Sequence, residues 1–222
     1  MDDSEFRLIR SHLEPVELPS HRSLCEPDEL FQFVYFPNAG LISIVVVLSN
    51  GKTVEAGLVG KEGIVGMPAV AGRKTSPLRE VVQSSGEGLR IRIRRLRTIL
   101  ESAKILDGTL KRYASVFGMQ VAQTAACNRL HETDRRLARW LLMALDRVNS
   151  GPLRITHDFL ATMLGTDRST VSLAAGELQK VGIIKYSRGV VKILDRQKLE
   201  TAACECYRVI RSFNEDDAWP RQ

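Results

Sequence analysis

The spacing of apolar residues changes period near residue 105 of this chain, and that change excludes both an all-β and an all-α fold. In Leu89–Arg94 ("LRIRIR") they alternate strictly, sending Leu89, Ile91 and Ile93 to one face and the arginines to the other. From Ile105 they recur at three and four: Leu106, Leu110, Tyr113 and Phe117, then Gln120 or Val121, Thr124, Cys127 or Asn128, and His131. A period of two demands a pleated strand, whereas steps of three and four demand a helix with one buried stripe. The chain therefore reads as an α+β protein, β structure first and helix after.

The β part carries its own punctuation. "LFQFVYFP" (Leu30–Pro37) is aromatic and ends at a proline, "PNAG" turns, and "LISIVVVL" (Leu41–Leu48) is rich in β-branched residues. Asn50-Gly51 tolerates positive φ at both positions, which predicts a tight two-residue hairpin returning through "TVEAGLV". "GKEGIVG" (Gly60–Gly66) reads as a glycine-punctuated loop, and "REVVQ" resumes a strand. Many short strands with regular turns point to an antiparallel sandwich or barrel, here an N-terminal jelly roll over residues 1–104. The arginines from Arg90 to Arg97 read as a solvated strand edge running into a helix start.

The seam that follows fits a core helix of one chain, or a helix shared by two. It persists beyond what one small β domain covers, so a long dimerisation helix is expected, with Leu106, Leu110, Tyr113, Phe117, Gln120, Val121 and Thr124 at the interface. A second apolar set, Leu137, Trp140, Leu141, Ala144 and Leu145, extends this connector over residues 105–148, and "NSGP" (Asn149–Pro152) reads as a stop and hinge.

Residues 149–222 then read as a module of their own. Thr156 is placed to cap a helix whose apolar face is Leu160, Ala161 and Leu164, and Gly165 is placed to end it in the left-handed turn. Asp167 caps a second helix with Val171, Ala174, Leu178 and Val181 on one face. At 100° per residue the opposite face is Ser169, Ser172 and Gly176, with Arg168 and Gln179 on one flank and Leu173 and Lys180 on the other. That face is polar and low in bulk, which suits close approach to base edges in a major groove. A plain helical hairpin would also place two helices together. Ala161, Gly165 and Val171 fall where a helix-turn-helix needs a small residue, a turn and a buried branch. "GIIKYSRGVVKIL" (Gly182–Leu194) reads as two strands around "SRG", a β wing. Eight basic and four acidic residues lie between Arg154 and Lys198, a surplus suited to phosphates.

Composition sets the outer limits. The chain has 222 residues, room for two domains, and a net charge of +6, which permits a polyanionic partner. "MDDSEFRLIR" has no apolar run of a signal peptide, and Ala39–Leu48 is too short to span a bilayer, so a cytoplasmic protein without membrane contact is expected. Cys25, Cys127, Cys204 and Cys206 are expected as thiols. Cys204 and Cys206 lie in "KLETAACECYRVI", which reads as one helix, where residues two apart point about 200° apart and do not share an ion. His12, His21, His131 and His157 are scattered, and no metal site is expected.

A β-rich domain, a long helix and a C-terminal winged helix-turn-helix resemble the Crp/Fnr family of bacterial transcription regulators. The resemblance spans nearly the whole chain and is most specific over "ITHDFLATMLGTDRSTVSLAAGELQKVGIIKYSRGVVKIL", with "FVYFPNAGLIS" and "VGKEGIVG" on the sensor side. It implies a homodimer on double-stranded DNA, with RNA polymerase as a further partner. It implies that Arg168 reads guanine, that Ser169, Thr170, Ser172, Leu173, Gln179 and Lys180 complete the reading face, and that Thr156, His157 and Arg188 lie near phosphates. The best-known members carry an acidic residue and a second arginine where Ser169 and Leu173 stand here.

On the sensor side Glu62, Gly63 and Arg79 are the candidate effector contacts. Cyclic-nucleotide-binding members have an arginine aligned with Leu78, so no cyclic nucleotide is expected. Cys25 stands alone where iron–sulfur members cluster cysteines, so no such cofactor is expected either. The rival reading from another class is a metal-dependent jelly-roll enzyme or metal sensor whose C-terminal module makes only protein contacts.

Overall fold

The computed structural model describes residues 3–148 and 152–215; of the expected hinge Asn149–Pro152 only Pro152 lies among them. The elements follow in order as α1 (Asp3–Arg10), β1 (Glu14–Leu18), β2 (Ser23–Cys25), β3 (Phe33–Pro37), β4 (Leu41–Val47), β5 (Thr53–Val59), α2 (Met67–Val70), β6 (Leu78–Ser84) and β7 (Gly86–Arg92). Then come α3 (Ile93–Leu100), α4 (Lys104–Leu130) and α5 (Thr133–Arg147), and after them β8 (Leu153–Arg154), α6 (His157–Leu164), α7 (Arg168–Lys180), β9 (Ile184–Ser187), β10 (Val190–Ile193), α8 (Arg196–Ala202) and α9 (Cys206–Glu215).

The chain divides into two compact units, and the division differs from the expected boundaries at 104 and 148. One unit is 1–44 with 59–117; the other is 45–58 with 118–222. The β4–β5 hairpin tip thus belongs with the C-terminal unit, and α4 is partitioned within its length.

In the first unit, β1-β7-β3 form an antiparallel sheet with Val34 opposite Ile91 and Glu14 opposite Arg90. The second sheet has the order β2-β6-β4-β5. Leu18, Tyr35, Ile42, Ile44, Val59 and Val82 pack between the two sheets, the alternate residues that the period of two directs inward. A second core joins Val34 and Ile91 to helical Ile9, Leu96, Ile99, Leu106 and Leu110. Arg90 and Arg92 stack over Phe33 at 4.2 and 5.0 Å, and Arg90 also pairs with Glu14 at 3.0 Å, so these arginines decorate a strand.

Leu106 and Leu110, expected at a dimer interface, are spent inside this core at 6 % and 3 % exposure. Tyr113 and Phe117 pack against the same unit. Further along, Gln120 is buried and brackets the Leu58 backbone, donating to its carbonyl at 3.2 Å and accepting from its N–H at 3.3 Å. Thr124 is buried and Val121 half-buried. The periodicity correctly marked a buried face; the chain itself covers most of it.

The Asn50-Gly51 hairpin forms, with a different turn. Gly51 alone takes positive φ (80°), while Leu48 bonds both Gly51 N–H and Lys52, the pattern of a three-residue loop.

In the C-terminal unit α5 is the axis. Leu137, Trp140, Leu141 and Leu142 are at most 1 % exposed, and α7, α8 and α9 pack around it. The expected single helix over Lys198–Ile210 is two helices. α8 ends at Ala202, Ala203 turns to extended backbone (ψ 155°), and α9 starts at Cys206. Cys204 therefore does not sit on a helix with Cys206, and the two-residue offset does not separate their thiols.

Candidate nucleic-acid interface

Local sequence builds the two-helix motif as expected. The Thr156 hydroxyl accepts from Phe159 N–H at 3.2 Å and starts α6. Gly165 closes it at φ 61°, and a Cβ there would lie 3.0 Å from Val54, so glycine is required by both conformation and space. The Asp167 carboxylate caps α7 by accepting from Thr170 N–H at 2.8 Å, from the Thr170 hydroxyl at 2.7 Å and from Ser169. These donors, Ser169 first, hold its carboxyl far below the usual carboxylate range.

Val171, Ala174, Ala175 and Leu178 of α7 are buried. Arg168, Ser169, Leu173, Gly176, Glu177, Gln179 and Lys180 are exposed, and Leu173 reaches 73 %. The open face thus centres between Ser169, Gly176 and Lys180, turned slightly toward Leu173 relative to the helical-wheel expectation.

Ser172 lies off that centre and is occupied. Its hydroxyl donates to the Arg168 carbonyl at 2.9 Å and so accepts from His157 Nδ1 at 2.8 Å. His157 stacks on Tyr186 with ring centroids 4.2 Å apart, and its Nε2 is buried without a hydrogen-bond partner among the described residues. Burial, aided by the Arg168 charge, lowers its pKa, so the ring is a neutral brace between α6, α7 and the wing. His157 was expected at a phosphate; the crossing of the two helices places it under the motif instead. Gln179 is also engaged, accepting from Tyr186 N–H at 2.8 Å.

Arg168 projects from the first turn of α7 and pairs with Asp158 at 3.2 Å, both side chains about two-thirds exposed (68 % and 65 %). Such a pair holds at most about 1 kcal/mol, so the guanidinium is readily redirected to a stronger acceptor.

The wing is an antiparallel β9–β10 hairpin with Ser187 opposite Val190. Arg188 (φ 49°) and Gly189 (φ 74°) both take positive φ at its tip, a type I′ turn, and Arg188 is exposed there. β8 completes the small sheet, and Tyr186 donates its hydroxyl proton to the Ile155 carbonyl at 2.6 Å. Arg154, Lys180, Lys185, Arg188 and Lys192 are all exposed, giving this unit a basic surface beside α7.

Residues 135–202 match the family model of the Crp-like helix-turn-helix domain. The matched stretch takes in most of the buried axis α5 as well as the motif and wing. Solved structures show the same fold over most of the chain. The c-di-GMP-responsive global regulator CLP of Xanthomonas campestris is 16 % identical, with a TM-score of 0.69 over 87 % of this chain and 100 % of that one. A CRP/FNR-family transcriptional regulator from Thermus thermophilus is 22 % identical, with a TM-score of 0.70 over 86 % and 98 %. A Crp/Fnr-family regulator from Eubacterium rectale is 16 % identical, with a TM-score of 0.70 over 91 % and 94 %. No significantly similar protein is found among the curated ones. No helix among the described residues is long and apolar enough to cross a membrane.

On the sensor side each of the three expected contacts has neighbours within the first unit. Arg79 pairs with Glu26 at 2.9 Å. Glu62 is exposed and accepts from Gly60 N–H at 3.2 Å. Gly63 is buried where any Cβ would collide with Tyr113, 2.1 Å from its hydroxyl, so its smallness serves packing. None of the three lines a cavity of about 210 Å³ within the first unit. Its wall is apolar, with Ile44, Val59, Ile64, Leu78 and Phe117, and among the described residues its one titratable lining group is Glu80.

Glu80 is 3 % exposed, and burial pushes its carboxyl up to about 7 against a bond from Gly66 N–H. Below about 4.5 the acid is protonated folded or unfolded; between 4.5 and 7 the unfolded chain loses the proton first, so stability falls as pH rises and stays low above 7. Glu80→Gln is accordingly expected to raise stability at pH 8, by up to about 3 kcal/mol, and the gain shrinks toward pH 5. Urea midpoints measured across that range check it.

Proposed function

We propose that this protein is a sequence-specific DNA-binding transcription regulator that acts as a homodimer. The exposed, low-bulk face of α7 beside a basic wing carries the reading. Arg168 reads a guanine from the major groove, Ser169, Leu173 and Lys180 approach neighbouring bases or phosphates, and Arg188 on the wing grips the backbone. Thr156 and Thr170, both used in caps, present their remaining hydroxyl capacity near the same strands. Ser172, Gln179 and His157 act as braces that set the pose of α7. Two copies place their α7 helices about 34–36 Å apart, one turn of duplex. A gel-shift series tests the reading. Specific duplex should be shifted with an affinity that falls steeply with salt, and a protein that binds all duplexes equally or none would contradict it.

The dimer face we propose is the open side of α4: Gly108, Ser115, Met119, Ala122 and Ala126, exposed and spaced at three, four and seven. A Cβ at Gly108 or Gly118 would meet nothing, and Met119 is 40 % exposed. Ala122→Glu places like charges face to face across the two-fold and is expected to yield monomers by analytical ultracentrifugation, with weakened DNA binding.

The cavity beside Glu80 is the proposed effector site. Its described lining offers no cation to a phosphate, which supports a small apolar effector with one acceptor for a protonated Glu80 over a cyclic nucleotide. RNA polymerase is the proposed protein partner and the cytoplasm the proposed location. The match of residues 135–202 to a DNA-binding domain family supports a regulator over a sandwich enzyme whose C-terminal module makes only protein contacts.

A further inference from the structure

Beyond DNA reading, the C-terminal unit gathers four metal-ligating side chains that the sequence scatters. Cys127 lies in the last turn of α4 and His131 just past its end, its N–H bonded to the Cys127 carbonyl at 3.1 Å, and the break between α8 and α9 brings Cys204 and Cys206 to them. All four donor atoms lie within 4.8 Å of one another. Cys127 and Cys204 sulfurs are 3.5 Å apart, and Cys206 Sγ is 3.6 Å from His131 Nδ1. Tetrahedral zinc with Zn–S of about 2.3 Å and Zn–N of about 2.0 Å separates its ligand atoms by roughly 3.5–3.8 Å.

The surroundings complete the pattern. The three thiols are 0–2 % exposed. His131 turns Nδ1 inward while Nε2 faces the Glu205 carboxylate at 3.2 Å, the outer partner that fixes a metal-binding imidazole. Gln123 donates its amide to Cys206 Sγ at 3.1 Å. Three thiolates around a divalent ion leave one net negative charge. Arg136 and Arg139 are buried near these sulfurs, where their charges act on Cys127 and Cys204. Arg136 donates to the Leu164 carbonyl and Arg139 to the Met143 thioether, and each leaves Nε without a hydrogen-bond partner among the described residues. The Glu132 carboxylate acts on Arg136 alone, and a thiolate–metal centre would supply an anion to both buried guanidinium groups.

We propose that Cys127, His131, Cys204 and Cys206 form a structural zinc site that staples the last turn of α4 to the α8–α9 junction of the DNA-binding unit. Four protein ligands close the coordination sphere, so the ion holds structure and leaves no position for substrate.

Elemental analysis of the full-length protein, purified under reducing conditions without chelator, is expected to give one zinc per chain. Cys204→Ser and Cys206→Ser should each lose it. Because either variant is liable to misfold, the wild-type protein reloaded with cobalt(II) provides a second readout: thiolate-to-metal charge transfer and tetrahedral ligand-field bands. Gln123→Ala, outside the ligand set, should keep the stoichiometry and weaken affinity by about 10- to 100-fold in a chelator competition. Metal-free protein that ignores added equimolar zinc would overturn the proposal. So would a Cys127–Cys204 disulfide in the purified chain, or a cobalt spectrum lacking thiolate bands.

Discussion

Arg168→Ala is expected to weaken binding to the preferred duplex by about 5- to 150-fold, the worth of one bidentate arginine–guanine pair. Binding to unrelated duplex should fall far less, since one of many basic groups is lost from a largely phosphate-driven interaction. The folded protein should be unaffected: the ion pair given up is the exposed one to Asp158. Arg168→Lys separates charge from geometry, because lysine keeps the charge and loses the planar fork, so sequence preference should drop nearly as far as with alanine. Competitive gel shifts with matched and mismatched duplexes measure both quantities. Equal losses on all duplexes would make Arg168 a phosphate contact.

The second large effect concerns Trp140. Its indole is 1 % exposed on α5 and donates to the Glu55 carboxylate at 2.9 Å, tying the hairpin tip 45–58 to the axis of the C-terminal unit. Trp140→Ala removes one of the largest buried side chains and is expected to cost about 3–5 kcal/mol. Trp140→Phe keeps most of the volume and deletes only the donor to a buried acid, with an expected cost of about 1.5–3 kcal/mol. Urea unfolding followed by circular dichroism distinguishes them. If phenylalanine were as costly as alanine, the hydrogen bond and not packing would dominate the site.

What the sequence revealed and what it hid follow from the range of the interactions. The recognition motif was legible because its determinants are local: Thr156 and Asp167 cap within three residues, and Gly165 is needed for one backbone angle. The wing turn was legible for the same reason. Period alone showed that α4 buries a stripe and was silent on what covers it; Leu106 and Leu110 share a core with Ile9 and Val34, far away in sequence. The brace by His157 depends on the crossing of α6 and α7, which brings Ser172 to its ring from fifteen residues away. The cysteine cluster was hidden by a helix break at Ala203 that no glycine or proline announces. Arg79 was attractive as a cation near the expected phosphate position; in the structure it pairs with Glu26.

Selection of bound duplex from a random pool by the wild-type protein tests the proposed role of α7 most directly. The expected result is an enriched inverted repeat, its half-sites centred about one helical turn apart, each with a guanine that disappears from the pool selected by Arg168→Ala. An unenriched pool, or the same repeat with the same guanine in both pools, would contradict that role.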